Sequence, residues 1–408
     1  MSSPPTTPRR SARLAEKASR KALEEASEAS PLQSSPEDTL QKTHILTADG
    51  LHNIATHKYV GGEYTPLDNL LNPFWFWATS LLPMWLAPNL VTLLGFSNCI
   101  VSYSLMWYYS PTFSENVPSW LLFAAGVFTW NYLTLDAMDG KQARRTGASS
   151  PLGQLFDHGC DAMSCLTHTA VAAALFLPGP QGALWATVAM QCGFFVPQWK
   201  EYHLHVLDTA VGPFGVTEMQ HSLILACVLG GLYGTDWADH EWYGSYKAKE
   251  CIVFGWAVFC IVASLYLVVT TLQEIKRQRG SVTDAVWKLV PMLTSGALGC
   301  SWPVAVLHKH PRIVALTTSV VIGQITVKII VFAMSKQHYP AVEGSVVMYA
   351  LGWGLVTFGG FSDANEAYIV FVTCAFVCLR FLWWVHTAIS EICQKLNIHC
   401  FRITAKQQ

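Results

Sequence analysis

Four aspartates, Asp136, Asp139, Asp157 and Asp161, fall in one short stretch that ends one apolar run and begins the next. If both flanks are helical, spacings of three and four place Asp136 with Asp139 and Asp157 with Asp161 on single helix faces. Two acidic faces can then converge. Carboxylates gathered in a half-desolvated site repel one another or take up protons unless cations neutralise them. Oxygen-only ligands select hard divalent ions, Mg²⁺ first and Mn²⁺ as a substitute. Gly140, Ala143 and Gly153 are small where bulk would block a ligand, and Arg144 offers a cationic fork suited to phosphate. The set reads as a metal and pyrophosphate site. Snorkelling or paired charges at helix ends would explain one or two carboxylates but serve poorly for four. An ion path through a transporter stays open on chemistry alone.

The elements that must position these residues are membrane helices. The chain is 51% hydrophobic and 13% charged over 408 residues, against roughly 25% charge in soluble domains. After Asn89 it offers about ten apolar runs near bilayer length: Leu90–Tyr109, Ser119–Leu135, His158–Leu177, Ala183–Trp199, Met219–Tyr233, Cys251–Leu272, Val286–Leu307, Ile313–Met334, Val346–Phe361 and Ala367–His386. The expected fold is all-α, a polytopic membrane protein with an N-terminal interfacial helix. Lys and Arg concentrate in the loops after even-numbered runs, including Lys141, Arg144, Arg145, Lys276, Arg277 and Lys336. That bias puts both termini and the aspartates on the cytosolic side.

Residues 1–43 are poor in aromatic and β-branched side chains and are expected to be a disordered cytosolic tail, whose basic run from Arg9 to Lys21 could attract anionic lipid. Residues 44–88, with Phe74, Trp75, Phe76 and Trp77 between prolines, suit an interfacial amphipathic segment. Residues 391–408 are expected to form a cytosolic tail. The 12 cysteines show no paired spacing and read as small buried side chains. Trp199, Glu201, Tyr202 and His203 could cage a quaternary ammonium or form an interfacial belt. Asp236, Asp239, His240 and Glu241 read as a solvated loop, with metal binding the alternative. Glu366 and Arg380 could pair or touch lipid, and Gly230 and Gly231 read as packing positions. A net charge of -1 gives no argument for nucleic acid.

The pattern D-x2-D-G-x2-A-R-x8-G-x3-D-x3-D fits from Asp136 to Asp161 at every fixed position. It resembles the signature of the CDP-alcohol phosphotransferases. Ala87-Pro88-Asn89, the run from Asp139 to Arg145, Leu155-Phe-Asp-His-Gly159 and the segment from Ile392 to Arg402 are similar to the eukaryotic choline and ethanolamine type. The resemblance covers roughly residues 51–402, and it implies that residues 89–234 form the catalytic helices and 235–390 further helices shaping a lipid cavity and a dimer contact. It implies that Asp136, Asp139, Asp157 and Asp161 hold two divalent ions, that Arg144 contacts the nucleotide phosphates, and that Asn89 meets the cytidine or its diphosphate, beside Gly140, Ala143, Gly153 and Gln154.

The implied reaction is attack by a lipid hydroxyl, that of diacylglycerol, on the phosphorus bearing the head group of CDP-choline or CDP-ethanolamine, with loss of CMP. His158 is preferred as the base over Asp161, because a metal-bound acid is a weak base. The resemblance further implies a homodimer in the endoplasmic reticulum or Golgi. Position 154 is Gln where enzymes of this type usually carry Glu, so inositol or a ceramide-like lipid stays open as an alternative partner. A cation transporter is the third reading.

Overall fold

In the computed structural model, residues 45–57, 64–207, 210–211, 214–340 and 342–403 are described; the expected tail at residues 1–43 lies outside them. Described residues are overwhelmingly helical, and the only strands among them are two short hairpins, β1 (Ala210–Val211) with β2 (Phe214–Gly215) and β3 (Glu241–Tyr243) with β4 (Tyr246–Lys247).

The first elements are α1 (Ala48–Thr56) and α2 (Pro66–Ser80). α2 begins where Thr65 and Asp68 cap each other's backbone N–H, which satisfies two of the donors a helix start leaves open. Then come α3 (Pro88–Tyr109), α4 (Ser119–Thr146), α5 (Pro151–Phe176), α6 (Gly179–Leu204) and α7 (Val216–Tyr233). α4 continues past the expected apolar limit at Leu135 to Thr146, and α5 starts at Pro151, before the expected His158. The polar extensions carry the aspartates.

α8 (Ala248–Arg277) follows the β3–β4 hairpin. The expected single run Val286–Leu307 is three short helices instead: α9 (Val282–Trp287), α10 (Val290–Cys300) and α11 (Val304–Lys309). Pro291 and Pro303 each open a new helix or its cap, because proline lacks the N–H an interior position needs. The remaining elements are α12 (Pro311–Ser335), α13 (Gly344–Phe358) and α14 (Asp363–Leu396).

Four helices, α3, α8, α12 and α14, are long and apolar enough to cross a membrane by length and composition. The chain is an integral membrane protein. Its apolar helices divide by surroundings: the most apolar window of α12 is 89% buried, that of α8 only 11%. A helix apolar all round is stable in either place when the solvent is lipid. α12 is the central post, packed against α5, α6 and α14, while α3 packs on α4 and α5, and α4 on α7. Close approach of α3 to α4 needs Gly95, where a Cβ would lie 3.2 Å from that of Leu135. Gly230 and Gly231 are packing positions, facing Leu175 and the ring of Phe123.

Candidate active site

The site is built on the hairpin between α4 and α5. Gly147 ends α4 in the left-handed conformation at φ 67°, which glycine adopts without the Cβ penalty. Ser150 then caps α5, accepting from the Gly153 N–H at 3.3 Å, with Pro151 as the first helical residue. The two helices return side by side. Counting from the turn at 1.5 Å per residue, Asp139 and Asp157 sit at a common depth of about 10 Å, and Asp136 and Asp161 at about 15 Å.

Asp136, Asp139 and Asp157 bring one carboxylate oxygen each within 4.8 Å of one another. Thr92 donates to Asp139 Oδ2. Oδ1 of Asp136 and Oδ1 of Asp157 are buried with no hydrogen-bond partner. Buried carboxylate oxygens without donors are costly, and a divalent cation is the group that would satisfy both; the donor set fits one. Asp161 is not one of these three and accepts from the Tyr132 hydroxyl. His158 is 8% exposed, with Nε2 3.9 Å from Asp157 Oδ2.

The basic run after Asp139 serves two purposes. Lys141 lies over the rings of Trp75 and Phe76, 5.0 and 5.3 Å from their centroids. Gln142 donates to the carbonyls of Pro83 and Leu86 at 3.0 and 3.1 Å. Arg145 donates to Thr79, Leu82 and Ser80 carbonyls at 3.1, 2.6 and 3.2 Å. These three side chains fasten α2 and the loop after it to the catalytic hairpin. Arg144 is exposed and makes no such contact. Its guanidinium lies 3.6 Å from where a Gly140 Cβ would be.

Asn89 is 7% exposed, and its amide donates to the Cys400 carbonyl at 3.0 Å. The segment after α14 therefore folds back over the site, and Phe401 meets Phe156 edge-on with ring centroids 5.5 Å apart. Asn89 Oδ1 faces Gly153, 3.8 Å from where a Cβ would be. Ala143, on the same turn of α4, is half-buried.

Gln154 bridges two elements. His57 Nε2 is 3.0 Å from Gln154 Oε1, and Gln154 Nε2 donates to Glu201 Oε1 at 3.0 Å. A carboxylate only accepts, so the amide N–H faces Glu201 and the amide oxygen must accept from His57. Glu201 is 5% exposed with Oε2 buried and unpartnered. Burial raises its carboxyl above the ordinary value, and the hydrogen bond from Gln154 offsets part of that.

Trp199 and Tyr202 both meet His203 edge-on, with ring centroids 5.4 and 5.0 Å apart, and their polar atoms are engaged inside the protein. Trp199 donates to the Ala285 carbonyl at 3.0 Å, and Tyr202 to that of Gln337 at 2.9 Å. Asp239 is ion-paired with Lys247 at 3.0 Å and Lys249 at 2.8 Å, so that loop acid is answered by lysines. Glu366 lies near Lys309 at 3.4 Å, leaving Arg380 elsewhere on α14. Thr92 and Tyr132 are the site residues missed by sequence reasoning. Thr92 is three residues after Asn89 and Tyr132 four before Asp136, both spacings that share a helix face. His57 had no such signal.

The CDP-alcohol phosphatidyltransferase family matches residues 85–229, which span α3 to α7. The chain carries that domain and is a transferase of the CDP-alcohol phosphotransferase type. It is 29% identical to choline/ethanolaminephosphotransferase 2 of Arabidopsis thaliana over 398 residues, covering 89% of this chain and 99% of the relative. It is 26% identical to ethanolaminephosphotransferase 1 of Homo sapiens, covering 88% of this chain and 94% of that one. With cholinephosphotransferase 1 of Saccharomyces cerevisiae it shares 34% over 243 residues, 57% of this chain and 61% of the relative. A transferase, not a transporter, accounts for the acids gathered at one hairpin.

Proposed function

We propose that the chain transfers phosphoethanolamine or phosphocholine from the CDP-alcohol to the hydroxyl of diacylglycerol, releasing CMP. The observation that carries this reading is the trio Asp136, Asp139 and Asp157 with orphaned buried oxygens beside the exposed Arg144. Asp136, Asp139 and Asp157, with Asp161 deeper, would hold Mg²⁺, two ions in all, which when bound neutralises charge on the phosphate oxygens. Arg144 binds a diphosphate oxygen, and Asn89, Gly140 and Gly153 leave room for the nucleotide. Little covalent work falls to the protein, so positioning and charge placement supply most of the acceleration.

His158 takes the proton of the attacking hydroxyl. A second reading gives that proton to Asp161, which lies outside the group of mutually close carboxylate oxygens and accepts from Tyr132. The helices after α7 shape the lipid cavity and the homodimer contact. α2 lies in the membrane interface, and the catalytic hairpin faces the cytosol of the endoplasmic reticulum or Golgi.

The test is purified protein with labelled CDP-ethanolamine or CDP-choline, diacylglycerol and Mg²⁺, alongside inositol and ceramide as acceptors. CMP release with labelled phospholipid is expected; EDTA should stop it, and Mg²⁺ or Mn²⁺ should restore it. No product with either donor would overturn the reading.

A further inference from the structure

Away from the catalytic hairpin, three charged side chains meet inside the helices. Lys328, in the central α12, places Nζ 2.5 Å from Glu343 Oε2, with side-chain exposures of 5% and 6%. Its ammonium also lies 5.3 Å from the centroid of Trp384. Glu343 is the N-cap of α13, and its own side chain does not cap that helix. Arg380 reaches the next residue: a Cβ at Gly344 would lie 3.0 Å from Arg380 Nη2 and 3.4 Å from Nε. Glycine there lets the guanidinium lie against the first turn of α13.

Lys328 and Glu343 neutralise each other, and Arg380 is left over. Its Nε is buried with no hydrogen-bond partner. Ser345, beside Gly344, is 2% exposed, and its hydroxyl also lacks a partner. The first-turn N–H groups of α13 have no intrahelical acceptor and carry the positive end of the helix dipole. Every one of these groups can donate, and the one carboxylate beside them, that of Glu343, is already engaged by Lys328. An arginine in an apolar helix is retained at a cost unless something answers its charge.

The surroundings say how the answering group arrives. Leu379, Leu382 and Trp383, flanking Arg380 on α14, are 67%, 61% and 47% exposed. On a membrane helix such a surface faces acyl chains. We propose that Arg380, Ser345 and the first turn of α13, backed by Lys328, bind the phosphate of an anionic phospholipid. The guanidinium fork matches two phosphate oxygens, the serine and helix N–H groups take a third, and the acyl chains lie along α14. The site also adjoins the catalytic helix: Val327, next to Lys328, lies 3.8 Å from where a Gly159 Cβ would be.

The test uses full-length protein in neutral detergent, titrated with dioleoylphosphatidylglycerol or dioleoylphosphatidylcholine while thermal unfolding is followed by intrinsic fluorescence. A ligand that binds only the folded protein raises Tm with concentration. Phosphatidylglycerol should raise it at concentrations at least tenfold below phosphatidylcholine. Arg380→Gln should weaken the phosphatidylglycerol response at least tenfold, and Arg380→Lys should keep part of it. Lys309→Gln, which removes a cation of α11 paired with Asp363 at the start of α14, should respond as the parent does. Equal response to both lipids, or an unchanged response in Arg380→Gln, would overturn the proposal. If Arg380→Gln does not fold, Ser345→Ala decides: a several-fold weaker response supports the site, and an unchanged one overturns it.

Discussion

Gln154→Glu is the most informative substitution at this site. It places the acid that choline and ethanolamine enzymes usually carry at this position next to Glu201, whose Oε1 now receives the Gln154 amide at 3.0 Å. Two ionised carboxylates at that separation repel by about 5 kcal/mol at an effective dielectric of about 20. The pair can avoid this by sharing a proton. Holding that proton at pH 8, against an unfolded Glu with a pKa of about 4.3, costs about 1.36 kcal/mol for each unit of difference, again about 5 kcal/mol. At pH 6 the same route costs only about 2 kcal/mol.

The sign follows from proton counting. Near neutrality the folded variant binds one proton more than the unfolded chain, so its stability falls as pH rises, by about 1.4 kcal/mol per unit. Tm of Gln154→Glu and of the parent, measured side by side at pH 6, 7 and 8, should diverge progressively towards pH 8. The exchange Gln154→Glu with Glu201→Gln restores one donor and one acceptor and should bring stability back to within about 1 kcal/mol of the parent. A Gln154→Glu variant matching the parent at all three pH values would refute the Gln154–Glu201 hydrogen bond and the burial of Glu201.

Asp139→Asn should abolish turnover by removing a carboxylate of the trio, with a loss of more than about a thousandfold, read as CMP release. His158→Ala should lower kcat by about a hundredfold or more at little cost in CDP affinity; if Asp161→Asn shows that pattern and His158→Ala does not, Asp161 is the base. Arg144→Gln should raise KM for the CDP-alcohol, whereas Arg145→Gln should lower Tm through the loss of its carbonyl bonds to α2, worth about 1.5–3 kcal/mol, while KM holds. Tyr132→Phe deletes the donor to Asp161 and should cost about 1–3 kcal/mol of stability; retained stability with retained activity would show that the hydroxyl is dispensable.

The aspartate hairpin was legible because every part of it is local. Spacings of three and four fix faces, and Gly147, Ser150 and Pro151 mark where one helix stops and the next begins. Helix ends were less legible, since apolar runs mark bilayer thickness while α4 and α5 continue beyond them as polar extensions of about two turns or more. The broken run at α9 to α11 was also written in the sequence, in Pro291 and Pro303, but mean hydropathy outweighed them. Partner choice was the illegible part. Lys141, Gln142 and Arg145 look like a phosphate-binding run beside Arg144, yet they hold α2, and nothing in their types distinguishes them from Arg144, which is not used in this way.

The same limit explains why the residues bracing the hairpin could not be read from the signature. Glu391, late in α14, accepts from the N–H groups of Ile45 and Leu46 at 3.0 and 2.9 Å, and Asn53 donates to the Ser335 carbonyl at 3.0 Å. These bonds set α1 against α12 and α14, so that His57, just past its end, reaches Gln154. On the other side, Asn89 is held by Cys400. The catalytic helix is thus gripped by segments from opposite ends of the chain, each satisfying a polar group the other could not bury alone. A short signature can specify which carboxylates meet, but the rigidity that keeps them within reach of one another is supplied by partners hundreds of residues away.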